Sequence, residues 1–210
     1  MKRFGCLIAA GVAVVIVLIV VLVFAGSYNG LVKKDQAAES QWAQVENQYQ
    51  RRADLIPNLV NTVQGAANFE KSTLEAVVQA RASVGSIDPS KLPDNPEGMA
   101  RFQQAQDALS SALSRLLVVV ERYPELKANQ NFRDLQVALE GTENRVAVER
   151  GRYNERAQEY NTARLRVPNV LFANLFGMRE KAYFKAAAGS AQAPSVNFNF
   201  GGTPAPAERR

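Results

Sequence analysis

The sequence predicts an all-α protein in which a single transmembrane helix is followed by an antiparallel bundle of long helices. Three observations lead to this prediction. Residues 7–26 form one uninterrupted apolar run. Through residues 27–188, apolar side chains recur every three or four positions, and prolines divide that range into a few long segments. Residues 1–6 are then a short flank, and residues 189–210 are a flexible tail rich in Gly, Pro and Ala.

The apolar run contains no charged or polar side chain. At 1.5 Å per residue it spans about 30 Å as a helix, which is the thickness of the hydrocarbon core of a bilayer. A cleaved signal peptide would have a shorter apolar region and a small-residue cleavage site, near where this chain has Phe24. A lipoprotein cysteine would follow the apolar region, whereas Cys6 precedes it. A permanent membrane anchor is therefore the favoured interpretation.

Basic residues flank both ends of this run. Lys2 and Arg3 precede it together with the N-terminal amine, and Lys33 and Lys34 follow it. The small excess of positive charge on the N-terminal side predicts an N-terminus in the cytoplasm. The expected location is therefore the cytoplasmic (inner) membrane, crossed once, with the helical domain on the periplasmic side.

The charged residues suggest a solvated helical surface. The 25 Lys and Arg and the 20 Asp and Glu give a net charge of +5, and they are spread along the chain. A nucleic-acid site would need the basic residues clustered on one face. The chain has no histidine, the commonest general base and metal ligand, and it has one cysteine. We therefore predict no catalytic site, no bound cofactor and no nucleic-acid partner.

A metal site is also not expected. A cluster of acidic residues on the fourth helix would suit only a hard cation such as Ca²⁺ or Mg²⁺, because no histidine accompanies it, and the sequence contains no EF-hand loop. The acidic residues concerned are Glu140, Glu143 and Glu149.

The first helix of the bundle is expected to continue directly from the membrane helix over residues 27–55. Pro57 is expected either to kink this helix or to begin a second helix. In both cases the apolar face continues to about Val84. A proline-rich loop follows. Asn95 is the expected N-cap of a third helix, over about residues 96–122, which Tyr123 and Pro124 end. The run 116–120 is apolar nearly all round, so we expect it to be buried on several sides.

A fourth helix is predicted over about residues 132–166, with Pro168 as its end. Gly141 and Gly151 weaken it; they either admit another helix closely or are tolerated surface glycines. Residues 169–188 are expected to pack back onto the bundle as a short apolar segment. In the tail, apolar and polar residues alternate as they do in a β-strand. Such a strand would have to pair with the sheet edge of a partner or of a neighbouring copy; the alternative is a tail without a structural role. The apolar residues concerned are Val196, Phe198 and Phe200.

Arg51, Arg52 and Asp54 are a candidate interaction site just before Pro57. Arginine pairs well with carboxylates and phosphates, so one interpretation is a site for an anion or a partner. The favoured alternative is ion pairing within the molecule, to acidic residues on a facing helix. Those residues are again Glu140, Glu143 and Glu149.

Amide and phenol side chains lie near the predicted apolar faces. A buried amide must be hydrogen-bonded and can fix the register of two helices. The amides in question are Asn58, Asn61, Asn144, Asn154 and Asn161. Tyrosines there would be core or interface anchors with a polar tip; they are Tyr28, Tyr153 and Tyr160.

Six strings are more specific than helical periodicity requires. They are YNGLV at residues 28–32, RRADLIPNLVNTVQG at 51–65, QAR at 79–81, ERYPELKANQNF at 121–132, LEGTENRVAVERGRYN at 139–154 and EYN at 159–161. Together they resemble the LemA family. The resemblance covers about residues 28–184 and the N-terminal anchor. One departure is Ala66, where the family usually has an aromatic residue; this reduces packing volume there.

The resemblance implies long antiparallel helices behind one membrane span and no established catalytic activity. Relatives linked to membrane organisation include a magnetosome-associated one. The leading hypothesis is a non-enzymatic scaffold that self-assembles on the bilayer and organises membrane-protein partners. A second hypothesis is an adaptor for one membrane protein, such as a protease or transporter, without higher assembly. An enzyme using carboxylates and arginine is the least favoured, because histidine and a glycine-rich phosphate loop are lacking.

Overall fold

The computed structural model describes residues 2–65 and 69–185, with side-chain surroundings for residues 11–65, 69–171 and 173–185. Within these residues the regular structure is helical, as the sequence predicts. The α-helices are α1 (Lys2–Gln64), α2 (Lys71–Gly85), α3 (Pro96–Val120), α4 (Pro124–Ala128), α5 (Gln130–Leu165) and α6 (Asn169–Leu175), with a 3₁₀ turn at Pro89–Lys91 between α2 and α3.

Helix α1 is one helix of 63 residues, about 95 Å long. Its side chains from residue 11 to 23 are all exposed, and from residue 11 onward the first completely buried side chain is that of Leu31. Among the described residues it is the one helix long and apolar enough to cross a membrane, by length and composition. The expected direct continuation from the apolar run into the bundle is confirmed, so the domain boundary predicted at residue 27 falls inside a helix.

Helix α1 passes through Pro57 and ends at Gln64. The prediction that Pro57 begins a second helix was therefore wrong, and the alternative, a kink within one helix, stays a prediction. Proline cannot donate to the carbonyl four residues earlier, which is that of Ala53. In the structure Arg81 Nε on α2 donates to the Ala53 carbonyl oxygen at 3.2 Å. A side chain from the neighbouring helix thus replaces the missing backbone donor.

The four long helices alternate in direction. Helix α1 packs most extensively against α5, and α2 packs against α3. Contacts between α1 and α5 fall in antiparallel order, from Lys34 with Glu159 to Arg52 with Glu143. The predicted antiparallel bundle of long helices is therefore what these residues form.

The buried residues form a far half and a near half, named by distance from the apolar end of α1. The far half is mainly aliphatic, and its buried members are Ile56, Leu59, Val60, Val63, Leu74, Val77, Leu109, Ala112, Leu113, Leu116, Val120, Leu126, Phe132 and Leu139. The near half is rich in aromatic rings. Its members are Trp42, Val45, Tyr49, Leu92, Met99, Phe102, Val146, Tyr153, Ala157, Ala182 and Phe184, with Leu31, Tyr160, Ala163 and Ala173 nearest the apolar end.

Asparagine caps begin two of the helices. Asn95 Oδ1 accepts from the Gly98 N–H at 2.9 Å, with Pro96 as the first residue of α3, as the sequence predicts. Asn129 caps α5 in the same way. The sequence did not predict helix α4, whose first residue is Pro124. It occupies the connection where only the end of α3 was expected.

Several apolar side chains expected to be buried are exposed. Val118 is 70% exposed, because the run 116–120 turns one side of α3 to solvent. Leu165 is also exposed at the end of α5. Of the segment 169–188, the described residues 169–185 pack back only in part: Ala173, Ala182 and Phe184 are buried, while Leu171, Leu175 and Phe176 are exposed. The predicted strand with Val196, Phe198 and Phe200 lies outside the described residues, as does Ala66.

Candidate functional site

Residues 178–185 form an extended segment, here called the strap, that follows α6 and runs back along the bundle. Two asparagines of α5 hold it. Asn161 donates to the Lys181 carbonyl oxygen and accepts from the Lys181 N–H, at 2.9 and 2.8 Å. Asn154 makes the same two bonds to Phe184, both at 2.9 Å. The strap therefore runs antiparallel to α5.

The spacing of these two asparagines fits the strap. Seven residues of α-helix separate Asn154 from Asn161, a rise of about 10.5 Å. Three extended residues, from Lys181 to Phe184, cover about 10 Å. One face of α5 therefore meets the strap in register at both positions.

A third amide comes from α3. Gln103 donates to the Lys185 carbonyl oxygen at 2.7 Å and accepts from the Lys185 N–H at 3.1 Å. The Ala182 N–H donates to the Pro93 carbonyl oxygen at 2.7 Å. An amide side chain carries both a donor and an acceptor, so it can pair with an extended residue as a neighbouring strand would. Amide side chains of two helices thus pair with the backbone of three strap residues, Lys181, Phe184 and Lys185.

The side chain of Lys181, a residue of the strap, is buried between the strap and the bundle, with 3% of it exposed. Its Nζ lies 2.9 Å from Asp35 of α1 and 2.9 Å from Asp94 in the loop before α3. Glu39 of α1 is 3.4 Å away. Burial lowers the pKa of Lys181, but its hydrogen bonds to Asp35 and Asp94 outweigh burial and raise that pKa above its usual value. The amine therefore stays protonated and serves as a cation, not as a nucleophile.

Phe184 anchors the strap in the near half of the core. Its ring stacks on Trp42 with 5.7 Å between centroids and meets Tyr153 edge-on at 5.8 Å. The guanidinium of Arg150 lies 4.5 Å from the centre of the same ring. Trp42 in turn donates from Nε1 to the Pro89 carbonyl oxygen at 3.1 Å. The strap, α1, α5 and the loop before α3 therefore meet around one aromatic cluster.

Two phenol groups in this cluster are buried without a hydrogen-bond partner among the described residues, those of Tyr49 and Tyr153. Burial raises the pKa of Tyr49 to about 12, against the opposing effect of Arg150 and Arg52. Burial likewise raises the pKa of Tyr153, against the opposing effect of Lys181. Both phenols therefore stay neutral at physiological pH.

Arg52 lies in the middle of the bundle and is 2% exposed. Its guanidinium donates to Glu143 of α5 at 2.6 Å and to Ser110 of α3 at 3.1 Å, and it also donates to Gln106. It lies 5.5 Å from the centre of the Tyr49 ring. Of the two interpretations of this arginine, the geometry favours pairing within the molecule. Arg52 joins three helices by directional bonds.

The other predicted site residues do not join Arg52. Arg51 and Asp54 are exposed, and Asp54 accepts from Gln50 at 2.8 Å. Glu140 accepts from Gln136 on its own helix at 3.0 Å. Glu149 accepts from Gln41 of α1 at 2.6 Å and pairs with Arg152 at 2.7 Å. Among the acidic candidates, Glu143 is the partner of Arg52.

The remaining candidates are scattered. The Tyr123 ring packs on Phe69 at the far end of the bundle, with 5.0 Å between centroids. Asn144 is exposed on α5, and so are Asn58 and Asn61 on α1. Tyr28 is 36% exposed and contacts Phe176. Of the five asparagines singled out in the sequence, Asn154 and Asn161 are the two that hold the strap.

Sequence reasoning missed Lys181 with its three carboxylates, and it missed Gln103. One signal was available for the lysine. It precedes Ala182, Tyr183 and Phe184 in a segment that was expected to pack onto the bundle, so its charge needed a buried partner. Nothing local marks Asp35, Glu39 or Asp94 as those partners, because they are distant in sequence from the strap.

Comparisons with known proteins relate this chain to one family. The model of the LemA family matches residues 41–198. Magnetosome protein MamQ of Magnetospirillum gryphiswaldense is 26% identical over 177 residues, which cover 75% of this chain and 64% of that protein. Protein LemA of Metamycoplasma hominis is 22% identical over 140 residues, which cover 67% of this chain and 60% of that protein. The chain thus spans less than two thirds of the length of these relatives.

The strings that carry the resemblance supply much of this site. RRADLIPNLVNTVQG contains Arg52 and Pro57, and QAR contains Arg81, which bonds to the carbonyl left free by Pro57. LEGTENRVAVERGRYN and EYN contain the two asparagines that hold the strap. The family model covers these four strings and well over half of the chain, so the chain belongs to the LemA family.

Proposed function

We propose that this protein is a non-enzymatic helical scaffold, anchored in the cytoplasmic membrane with its domain on the periplasmic side, which self-assembles and organises membrane-protein partners. The anchor and the first helix of the domain are one helix, α1. A continuous helix of this kind holds the bundle at a fixed height and angle above the bilayer. Similarity to proteins named for the magnetosome supports a role at a membrane.

The observation that carries self-assembly is an uncovered stripe on α5, here called the α5 stripe. It consists of Val137, Gly141, Asn144, Val148 and Gly151. The two valines are 68% and 52% exposed. A Cβ added at either glycine would meet no atom within 4 Å. The spacing alternates between four and three residues, which is the heptad spacing of a coiled-coil seam.

The charges beside this stripe fit a second copy of the chain. Glu140 and Arg145 are exposed, five residues apart, at the two positions that flank a heptad seam. In a parallel pair of helices, Glu140 of one copy would face Arg145 of the other. Copies anchored in one membrane by α1 have the same orientation, so their α5 helices would meet in parallel. Asn144 within the seam would favour one register.

Cysteine cross-linking in membranes tests this proposal. In a Cys6→Ser background, Val148→Cys should give a disulfide-linked dimer, because seam positions of a parallel pair lie within disulfide reach. Val118→Cys is the matched control: Val118 is also an exposed valine, at 70%, but lies on α3. Adding Val137→Glu should abolish the Val148→Cys dimer, because it places like charges in the seam.

Two results would overturn self-assembly through α5. The first is equal cross-linking at residues 118 and 148, which would indicate random collision. The second is no dimer at residue 148 together with a monomeric mass for the detergent-extracted protein at every concentration. If the residue 148 cysteine then linked to one other membrane protein in a one-to-one complex, the adaptor function would replace the scaffold.

A further inference from the structure

An uncharged segment surrounds α6 at the end of the bundle nearest the apolar run. From Val167 to Met178 the chain contains no charged residue. Five apolar side chains in and beside this segment are at least 59% exposed. They are Leu165, Val167, Leu171, Leu175 and Phe176, here called the basal patch. Exposed apolar side chains grouped at one place on a protein surface are typical of an interaction site.

The position of α6 along α1 is set by two contacts. The Phe176 ring lies 5.3 Å from the ring of Tyr28, and Ala173 shares a buried cluster with Leu31. Phe24 and Ser27 are partly buried, whereas the side chains from residue 11 to 23 are exposed. Helix α6 therefore lies beside residues 24–31, where the apolar run gives way to the bundle.

This level corresponds to the membrane surface if residues 7–26 span the hydrocarbon. The headgroup region adds about 5–7 Å on each side of the hydrocarbon core, which is the height of about three to five helical residues. Residues 27–31 of α1 occupy that height. Helix α6 is therefore at the depth where amphipathic helices rest in a bilayer.

Helix α6 ends in a defined turn, and its buried residues show which side of the helix faces outward. Gly177 has a φ of +64°, and the Met178 N–H donates to the Ala173 carbonyl oxygen at 2.9 Å. This is the glycine-ended arrangement that closes many helices. Ala173 is buried and Met178 packs against the same cluster, so Leu171 and Leu175, on the opposite side of α6, project away from the bundle. The basal patch is therefore an ordered part of the fold that faces outward.

The charges around the patch suit a membrane surface. Arg166 and Arg179 are exposed immediately before and after the uncharged segment. Lys33 of α1 is exposed a few residues beyond the contact with α6. Basic residues bordering an apolar face are typical of helices that lie in the headgroup region, where the cations meet lipid phosphates.

We infer that the basal patch is a second membrane contact, in which α6 and its flanking turns insert into the headgroup region beside α1. The inference rests on the proposed membrane anchoring and on the continuity of the patch with the apolar run. It gives the domain two points of support on the bilayer, so α1 cannot tilt freely.

Depth-dependent quenching in nanodiscs tests this contact. In full-length protein with Cys6→Ser, an environment-sensitive fluorophore is attached at Leu175→Cys. Lipids with a nitroxide near the headgroup should quench it at least about twofold and its emission should be blue-shifted, because the residue lies in the interface. Val118→Cys, at 70% exposure against 77% for Leu175, is the control on α3 and should remain unquenched. Leu18→Cys reports on the membrane span itself, with nitroxides deeper in the acyl chains.

The three sites separate the possible failures. Quenching at residues 18 and 175 but not at 118 supports the second contact. Quenching at 18 alone, with a red-shifted, solvent-exposed probe at 175, overturns the second contact and leaves the anchor intact. A blue shift at 175 without lipid quenching also overturns it, because protein and not lipid then covers the patch. Failure of quenching at residue 18 would overturn both the anchor and the inference.

Discussion

The far half and the near half of the bundle are held together by different kinds of interaction. In the far half, leucine, isoleucine and valine from α1, α2, α3 and α5 pack around one cluster. In the near half, aromatic rings, paired amides and the buried Lys181 hold the extended strap. The apolar packing is non-directional, whereas each bond to the strap requires a particular atom at a particular place.

This difference explains how each half tolerates change. Apolar residues of similar volume can replace one another in a close-packed core at modest cost. An amide that pairs with both groups of a buried extended residue cannot be replaced without leaving a donor and an acceptor unpaired. We therefore expect the far half to carry most of the global stability and the near half to be the more specific part.

The largest effect is expected in the far half. Leu116 is fully buried, and Leu116→Ala should lower the free energy of unfolding by about 2–5 kcal/mol through lost burial and the cavity it leaves. Val118→Ala, two residues away and 70% exposed, should change it by less than about 0.5 kcal/mol. Urea unfolding of the detergent-solubilised protein measures both. Equal effects of the two substitutions would contradict the assigned core.

A smaller and more local effect is expected at the strap. Asn161→Leu removes both bonds to Lys181 and should cost about 1–3 kcal/mol, because a buried N–H and a buried carbonyl lose their partners. Hydrogen exchange should rise first in the strap and leave the far half protected. Asn58→Leu, at an exposed position on α1, is the matched control. Uniform loss of protection along the chain would mean that the two halves unfold as one unit.

The smallest effect at neutral pH is expected at Tyr49. Its hydroxyl is buried without a partner, so Tyr49→Phe should be neutral or stabilising by about 1 kcal/mol. The effect should grow at alkaline pH. The pKa of Tyr49 is raised from 10.0 to about 12 on folding. Below pH 10 its titration therefore leaves the free energy of unfolding unchanged. As pH rises from 10 toward 12, the free energy of unfolding falls by about 1.4 kcal/mol per pH unit, because only the unfolded protein ionises readily.

Urea midpoints at pH 8, 10 and 11 measure this difference. The wild type should lose stability between pH 10 and 11 more steeply than Tyr49→Phe. Lys181 contributes in the same direction in both proteins, because its raised pKa also makes stability fall in strong alkali. Parallel profiles for the two proteins would show that Tyr49 does not titrate abnormally.

Local signals in the sequence predicted most of the helical architecture. The helical continuation of the apolar run, the three- and four-residue periodicity and the Asn95 cap were all correctly predicted. A second helix does not begin at Pro57, and Arg81 of another helix bonds to the carbonyl that Pro57 leaves without its usual donor. Val118 misled because apolar composition alone does not say which side of a helix another element covers.

The candidate site was predicted less completely. Arg52 with Glu143, and the asparagines at 154 and 161, were among the residues singled out. Their partners were not, because Lys181, Phe184 and Gln103 come together only when the strap folds back. Arg51, Asp54 and Glu140 were grouped with Arg52 by sequence or by charge, yet they point elsewhere.

By itself the sequence determined the helical class, the apolar run and the membership in a family, because these depend on composition, periodicity and strings of adjacent residues. Only the tertiary structure decided that α1 passes unbroken through Pro57 and that a lysine in the strap meets three carboxylates. It also decided which apolar faces, on α5 and α6, are left uncovered. The physical reason is that the pairing and the exposure of a side chain depend on residues far away in the chain. Helical periodicity does not indicate which of those residues will pack against it.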